Sequence, residues 1–172
     1  MLASLTVIPV SETELRESFV NCSKGEARRL NPPRRLAALP WEELDFLGWR
    51  DPGAPDRGYL VAEYHGRLVG LSLRVPTNVR RSLMKTTVCS VCMTSHLGSG
   101  VSLFAAARAG AAGRAGNTVG TYMCADLACP LYVRGKKAPD LAAGFEESLS
   151  TQDQVARMLA NLELFLDQVF KE

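Results

Sequence analysis

An α+β fold is expected from three features of the sequence: two cysteine pairs bracketing a β-rich stretch, two adjacent strand-like runs, and one long amphipathic helix near the C-terminus. The chain has 172 residues, 47% of them hydrophobic and 22% charged. That is enough to bury a core and excludes a disordered chain. No apolar run approaches the roughly 18 residues that would span a membrane. Met1-Leu2-Ala3-Ser4-Leu5 lacks the basic start and small-residue cleavage site of a signal peptide, so a cytoplasmic location is expected.

Residues 11–30 read as one amphipathic helix, with Ser11 as N-cap, Glu14 at the capping-box position and Leu15, Phe19, Val20 and Cys22 on one face. Asn31-Pro32-Pro33 stops it. A short helix is expected after Pro40, carrying Trp41, Leu44, Phe46 and Leu47, and Gly48 to Gly53 read as a turn. Tyr59–Tyr64 and Arg67–Val75 are strands joined by a tight turn at His65-Gly66, which makes His65 a turn residue without chemistry. Residues 83–92 lead into the first cysteine pair. Val101–Arg108 and Thr118–Met123 form a second hairpin, and the glycines of Ala109–Asn117 suit a mobile or partner-ordered turn. No Gly-Lys-Ser/Thr comes after them, so a phosphate loop is excluded. Thr151–Phe170 is an amphipathic helix whose apolar stripe, Val155 to Val169, closes the core.

The five cysteines carry the chemistry. Cys89-x2-Cys92 and Cys124-x4-Cys129 supply four soft sulfur ligands, the complement of a closed tetrahedral zinc site. The second pair is expected at the start of a short helix that ends near Gly135. His96, four residues beyond Cys92, ranks behind each cysteine as a ligand and is expected as a neighbour of the site. Four cysteines leave no open coordination position, and neither the zinc-deaminase pattern nor H-E-x-x-H is present. The metal is therefore a structural staple. Cys22, on an apolar helix face, is a core thiol rather than a nucleophile. A knuckle, a hairpin and a helix bearing the second ligand pair is the order of a treble-clef zinc finger. The expected organisation is N-terminal helices plus a β-hairpin over 1–82, the zinc module over 83–150, and a closing helix over 151–172, packed as one unit.

The formal net charge of +2 conceals a polarised chain. Residues 74–137 contain Arg74, Arg80, Arg81, Lys85, Arg108, Arg114, Arg134, Lys136 and Lys137 against one acid, Asp126. That is +8, falling to +6 with Zn²⁺ and four thiolates, and the remainder is −6. A basic zinc module attracts RNA or an acidic protein surface. Its arginines suit bidentate contacts, and Tyr122 and Tyr132 could anchor a partner.

Phe19-Val20-Asn21-Cys22-Ser23-Lys24-Gly25-Glu26, Phe46-Leu47-Gly48-Trp49-Arg50-Asp51-Pro52, the C-x2-C knuckle and Val119–Cys129 followed by Leu131–Lys136 together resemble the FBP family. These are elongation-factor-G-binding proteins with a C-terminal treble-clef zinc finger, related to the FusB-type fusidic acid resistance proteins. The resemblance covers roughly residues 10–170. It implies a non-enzymatic protein that binds elongation factor G through the zinc-bearing domain and promotes its release from the ribosome, with fusidic acid tolerance as a consequence. It also implies one zinc ion on Cys89, Cys92, Cys124 and Cys129. The partner surface is expected at Arg108, Arg114, Tyr132, Arg134, Lys136 and Lys137, on a monomer. The alternative is a basic zinc module that binds ribosomal RNA or other nucleic acid directly.

Overall fold

The computed structural model describes residues 9–76, 85–139 and 147–172. Arg80, Arg81 and the first residues leading into the C-x2-C lie outside these. The helix expected over 11–30 is in fact two, α1 (Glu12–Glu17) and α2 (Lys24–Arg29). Each opens on a serine that exchanges hydrogen bonds with a glutamate three residues on, Ser11 with Glu14 and Ser23 with Glu26. The second capping box explains the break, because Ser23 has an extended backbone (φ −69°, ψ 156°) that cannot continue a helix. Between the helices Phe19 forms a parallel bridge with Gly70. A Cβ on Gly70 would lie 2.5 Å from Ser18 Oγ, so only glycine allows this approach. Arg16 then ties the pair together by donating to the carbonyls of Ala27, Arg28 and Leu30 at 3.0, 2.7 and 2.9 Å.

The short helix expected after Pro40 shrinks to a 3₁₀ turn, Trp41–Glu43, and Leu47–Arg50 beyond it form a strand, β1. Leu47 and Trp49 alternate inward along β1, which pairs with β2 (Arg57–Tyr64). The glycine that suggested a turn is there for close packing: a Cβ on Gly48 would sit 2.5 Å from the Leu127 carbonyl oxygen. β2 pairs with β3 (Arg67–Arg74) through His65-Gly66, both at positive φ as the tight turn requires. β4 (Thr86–Val88) and β5 (Ser95–Leu97) form a separate ribbon around the first cysteine pair. β6 (Val101–Ala107) and β7 (Thr118–Cys124) complete an antiparallel sheet of order β1-β2-β3-β6-β7.

The segment expected as an open turn between β6 and β7 contains a short helix, α3 (Gly110–Arg114). Gly113 packs onto the Arg108 backbone so closely that a Cβ would fall 1.7 Å from its carbonyl oxygen. Further along the chain lie α4 (Cys129–Val133) and α5 (Thr151–Phe170), the latter with Ser150 as N-cap. Among the described residues no helix is long and apolar enough to cross a membrane.

The sheet separates two apolar clusters. Successive residues of β2 point to opposite faces: Leu60 and Ala62 join Phe46, Leu71, Phe104 and α5, whereas Tyr59 and Val61 join Leu15, Trp41, Leu44 and Trp49. β3 and β6 pair only at Leu73–Ala106 and Arg74–Ala105. Where they part, the Asn21 side chain enters, donating to the carbonyls of Ser72 (2.9 Å) and Ala107 (3.1 Å) and accepting from the Ser72 N–H at 2.8 Å.

Candidate metal centre

The first cysteine pair sits on a knuckle between β4 and β5. The Met93 N–H returns to the Cys89 carbonyl (3.0 Å), and Met93 takes a positive φ of 63° to turn the chain. The second pair does not come from one helical turn. Cys124 ends β7 and Cys129 opens α4, with a turn between them in which the Leu127 N–H bonds the Cys124 carbonyl at 2.8 Å. Leu127 also has positive φ, 58°, and lies against Gly48. Arg50 fixes the same turn by donating to the Ala125 carbonyl at 2.9 Å. A strand end and a helix start thus replace the single helical turn, because β1 supplies the surface on which the connecting turn rests.

All four sulfurs are buried and lie within 4.8 Å of one another. Cys89 Sγ is 3.7 Å from Cys129 Sγ, and Cys92 Sγ is 3.4 Å from Cys124 Sγ. Four sulfurs about 2.3 Å from one tetrahedral ion sit about 3.8 Å apart, so the cluster has the size of a zinc site. The backbone N–H groups of Val91 and Cys92 point at Cys89 Sγ from 3.4 and 3.3 Å, as donors to a thiolate do. Hydrogen bonds from Cys124, Cys129 and Cys92 hold the Cys89 thiol well below the usual range. Contacts with Cys124, Cys89 and Cys92, together with burial, push Cys129 up. Buried thiols sharing one site resist ionising together, and a divalent cation in place of their protons removes that conflict.

His96 is buried beside this set. Its Nε2 is 3.2 Å from Cys124 Sγ, and its ring meets Tyr132 edge-on with centroids 4.9 Å apart. Placed there it can donate to the thiolate, as the spacing beyond Cys92 suggested. Cys22 is half-buried, with its thiol pushed up to about 11 by burial and by Glu26, which suits a packing residue.

The residues expected to meet a partner are less free than the sequence suggested. Arg134 pairs through both terminal nitrogens with the buried Asp45, joining α4 to the segment before β1. Lys136 pairs with Glu43 at 3.2 Å. Lys137 pairs with Asp126, which also accepts from Tyr132 Oη at 2.8 Å. Burial pushes Asp126 up, but the bonds from Lys137, the Ala128 N–H and Tyr132 outweigh it and hold the carboxyl below its ordinary value. Arg108 caps the end of α5 by donating to the carbonyls of Gln168 and Lys171. Arg114 is exposed on α3, and among the described residues no ion pair holds it. Charge counting gave no sign of Val88 and Met93, 45% and 44% exposed around the knuckle. Tyr122 is 48% exposed, and its carbonyl accepts from the knuckle's Ser90 N–H at 2.8 Å. No spacing or composition signal marked them, since Val91 on the same knuckle is buried.

The fold has a counterpart among solved structures, that of the fusidic acid resistance protein FusC. The TM-score is 0.53 at 17% identity, over 96% of this chain and 59% of the other, so this chain spans about three fifths of that protein's length. No curated protein matches the sequence. The family model for the FBP C-terminal treble-clef zinc finger matches residues 14–169, which include all four clustered cysteines. With its buried sulfur tetrad forming a structural Zn²⁺ site, the chain belongs to the FBP C-terminal treble-clef zinc-finger family.

Proposed function

We propose that this protein is a cytoplasmic, monomeric binding protein without catalytic activity. Cys89, Cys92, Cys124 and Cys129 ligate one zinc ion, which fixes a surface that docks on elongation factor G. The observation that carries this reading is the family match over residues 14–169. Docking promotes release of the factor from the ribosome, and likeness to a fusidic acid resistance protein supports drug tolerance as a consequence. A ligand shifts such an equilibrium only through its differential affinity for the two states, so the docked surface must favour the conformation of the factor that leaves. Val88, Met93 and Tyr122 provide apolar anchors, and Arg114 provides a charge that steers the encounter. Arg108, Tyr132, Arg134, Lys136 and Lys137 also hold local structure through their bonds to the end of α5, Asp126, Asp45 and Glu43, and the exposed Lys136 and Lys137 remain able to meet a partner.

Calorimetric titration of purified elongation factor G at two salt concentrations tests the proposal. Saturable binding that Met93→Asp weakens by about tenfold or more supports it. Absence of binding at low salt, or binding indifferent to Met93→Asp, moves the partner or the surface elsewhere. Direct binding to RNA is the rival outcome. It predicts that nuclease treatment abolishes capture of every partner, and the pairing of Arg134, Lys136 and Lys137 with carboxylates weighs against it.

A further inference from the structure

A groove of about 770 Å³ runs between α5 and the tip of the β2–β3 hairpin. Its lining extends from Thr151 to Leu166, about 22 Å along the helix axis. The floor is an apolar strip of Val155, Ala156, Leu159 and Ala160, in which the two alanines are exposed and four residues apart. Small side chains at that spacing let a second helix approach closely. Tyr64 forms part of the far wall, where its hydroxyl donates to Asp167 at 2.6 Å.

The charge around this strip is acidic. Glu63 and Glu163 stand exposed on its two sides, and among the described residues no ion pair holds either. Arg134, at one end, is neutralised by Asp45. Arg67 lies over the Phe170 ring, 5.1 Å from its centroid. Length, small floor residues and flanking carboxylates therefore select the same occupant.

We propose that this groove is a second binding site, separate from the zinc-bearing surface, and that it takes one amphipathic helix of a partner protein, with leucine-like residues on one face and Lys or Arg on its flanks. The apolar face lies along Ala156 and Ala160, and the flanking cations meet Glu63 and Glu163. This is recognition of a helix in a groove, with the carboxylates selecting against acidic helices.

The test uses the full zinc-loaded chain and a fluorescein-labelled model helix of leucine and lysine, read by fluorescence anisotropy. A second peptide carries glutamate in place of lysine, and dodecyltrimethylammonium competes as a small amphipathic cation. The lysine helix is expected to saturate with a Kd at least about tenfold below that of the glutamate helix. Glu63→Lys with Glu163→Lys is expected to erase that preference, and Ala156→Trp to abolish binding while leaving thermal unfolding unchanged. Ala156 is exposed, so the tryptophan fills the groove without entering the core. Equal binding of both peptides, or unchanged affinity in Ala156→Trp, overturns the proposal. Binding of the detergent cation in a manner sensitive to Ala156→Trp, with no binding of the helix, also overturns it. Elongation factor G binding by the Ala156→Trp variant separates this site from the zinc surface, because that affinity is expected to stay intact.

Discussion

On one side of this molecule β4, β5, β7 and α4 are three to seven residues long and converge on four sulfurs. On the other side α1 and α2 are six residues each and converge on one arginine and a set of main-chain carbonyls. Elements of this length do not persist alone in water, so each region needs an anchor from elsewhere in the chain. The zinc region concentrates its anchor in a single centre. The helical region spreads its anchor over several hydrogen bonds, each contributing about 1 kcal/mol. Concentrated anchoring fails as a unit, and distributed anchoring erodes one bond at a time.

Cys124→Ser tests the concentrated case and should have the largest effect. Structural zinc in small fingers contributes about 10–16 kcal/mol of binding free energy, much of which is folding free energy. The substitution is expected to release the ion and strip amide-exchange protection from β4, β5 and α4, with smaller losses in β1–β3. Native mass spectrometry and hydrogen exchange read both outcomes. A variant that keeps one ion and native protection would remove Cys124 from the site.

Arg134→Met probes the joint between the two regions. It leaves the Asp45 carboxylate, in a side chain 2% exposed, without its partner, and breaking such a pair costs about 3–5 kcal/mol. Asp45→Asn combined with Arg134→Met should recover most of that loss, because the uncompensated charge is then gone. Urea titration of the two variants against the parent protein decides it. A loss below about 1 kcal/mol in Arg134→Met would mean that the pair is solvated and the regions are joined by apolar contact alone. Replacing Arg134 by glutamate would therefore damage the fold and says nothing clean about partner binding.

Asn21→Ala attacks the distributed side. Three hydrogen bonds disappear where β3 and β6 part, and the part-buried Ser72 and Ala107 groups lose their partner. About 1–3 kcal/mol is expected, with exchange rising first at the Ser72 amide. No change at Ser72 would show that water replaces the side chain there.

How much of each region was legible in the sequence depended on how local its signals were. α5 was readable because its stripe repeats at the helical period over 20 residues. The β2–β3 hairpin was readable from His65-Gly66, and the sulfur cluster from two spacings. β1 was not: Gly48 suggests a turn unless one knows that Leu127 packs against it. The charges misled for the same reason. Arg134 is 89 residues from the Asp45 that neutralises it, and Lys136 is likewise remote from Glu43, so a count by segment credits the surface with charge that folding neutralises. Sequence reasoning lost most at residues such as Gly48 and Arg134, whose partners are remote in the chain.

The break between α1 and α2 gives the smallest and sharpest test. Two causes compete for it: the Ser23–Glu26 capping box, and the Phe19–Gly70 bridge that draws the chain to the sheet. Ser23→Ala removes a cap at a cost of about 1 kcal/mol, which a thermal melt resolves. Alanine also favours helix, so if the cap alone enforces the break, residues 18–23 should join α1 to α2 and helical ellipticity should rise. The bridge argues otherwise. The Val20 N–H to Gly70 carbonyl bond (3.0 Å) and the Gly70 N–H to Ser18 carbonyl bond (2.9 Å) both require extended chain and are untouched by the substitution. Ser23→Ala is therefore expected to lower stability without raising helicity. Ser11→Ala should cost a similar amount, since its reciprocal bonds to Glu14 match those of Ser23 to Glu26 in length. A gain in helicity would transfer the break to the cap and make the amphipathic period of residues 11–30 a real helical preference that one serine overrides.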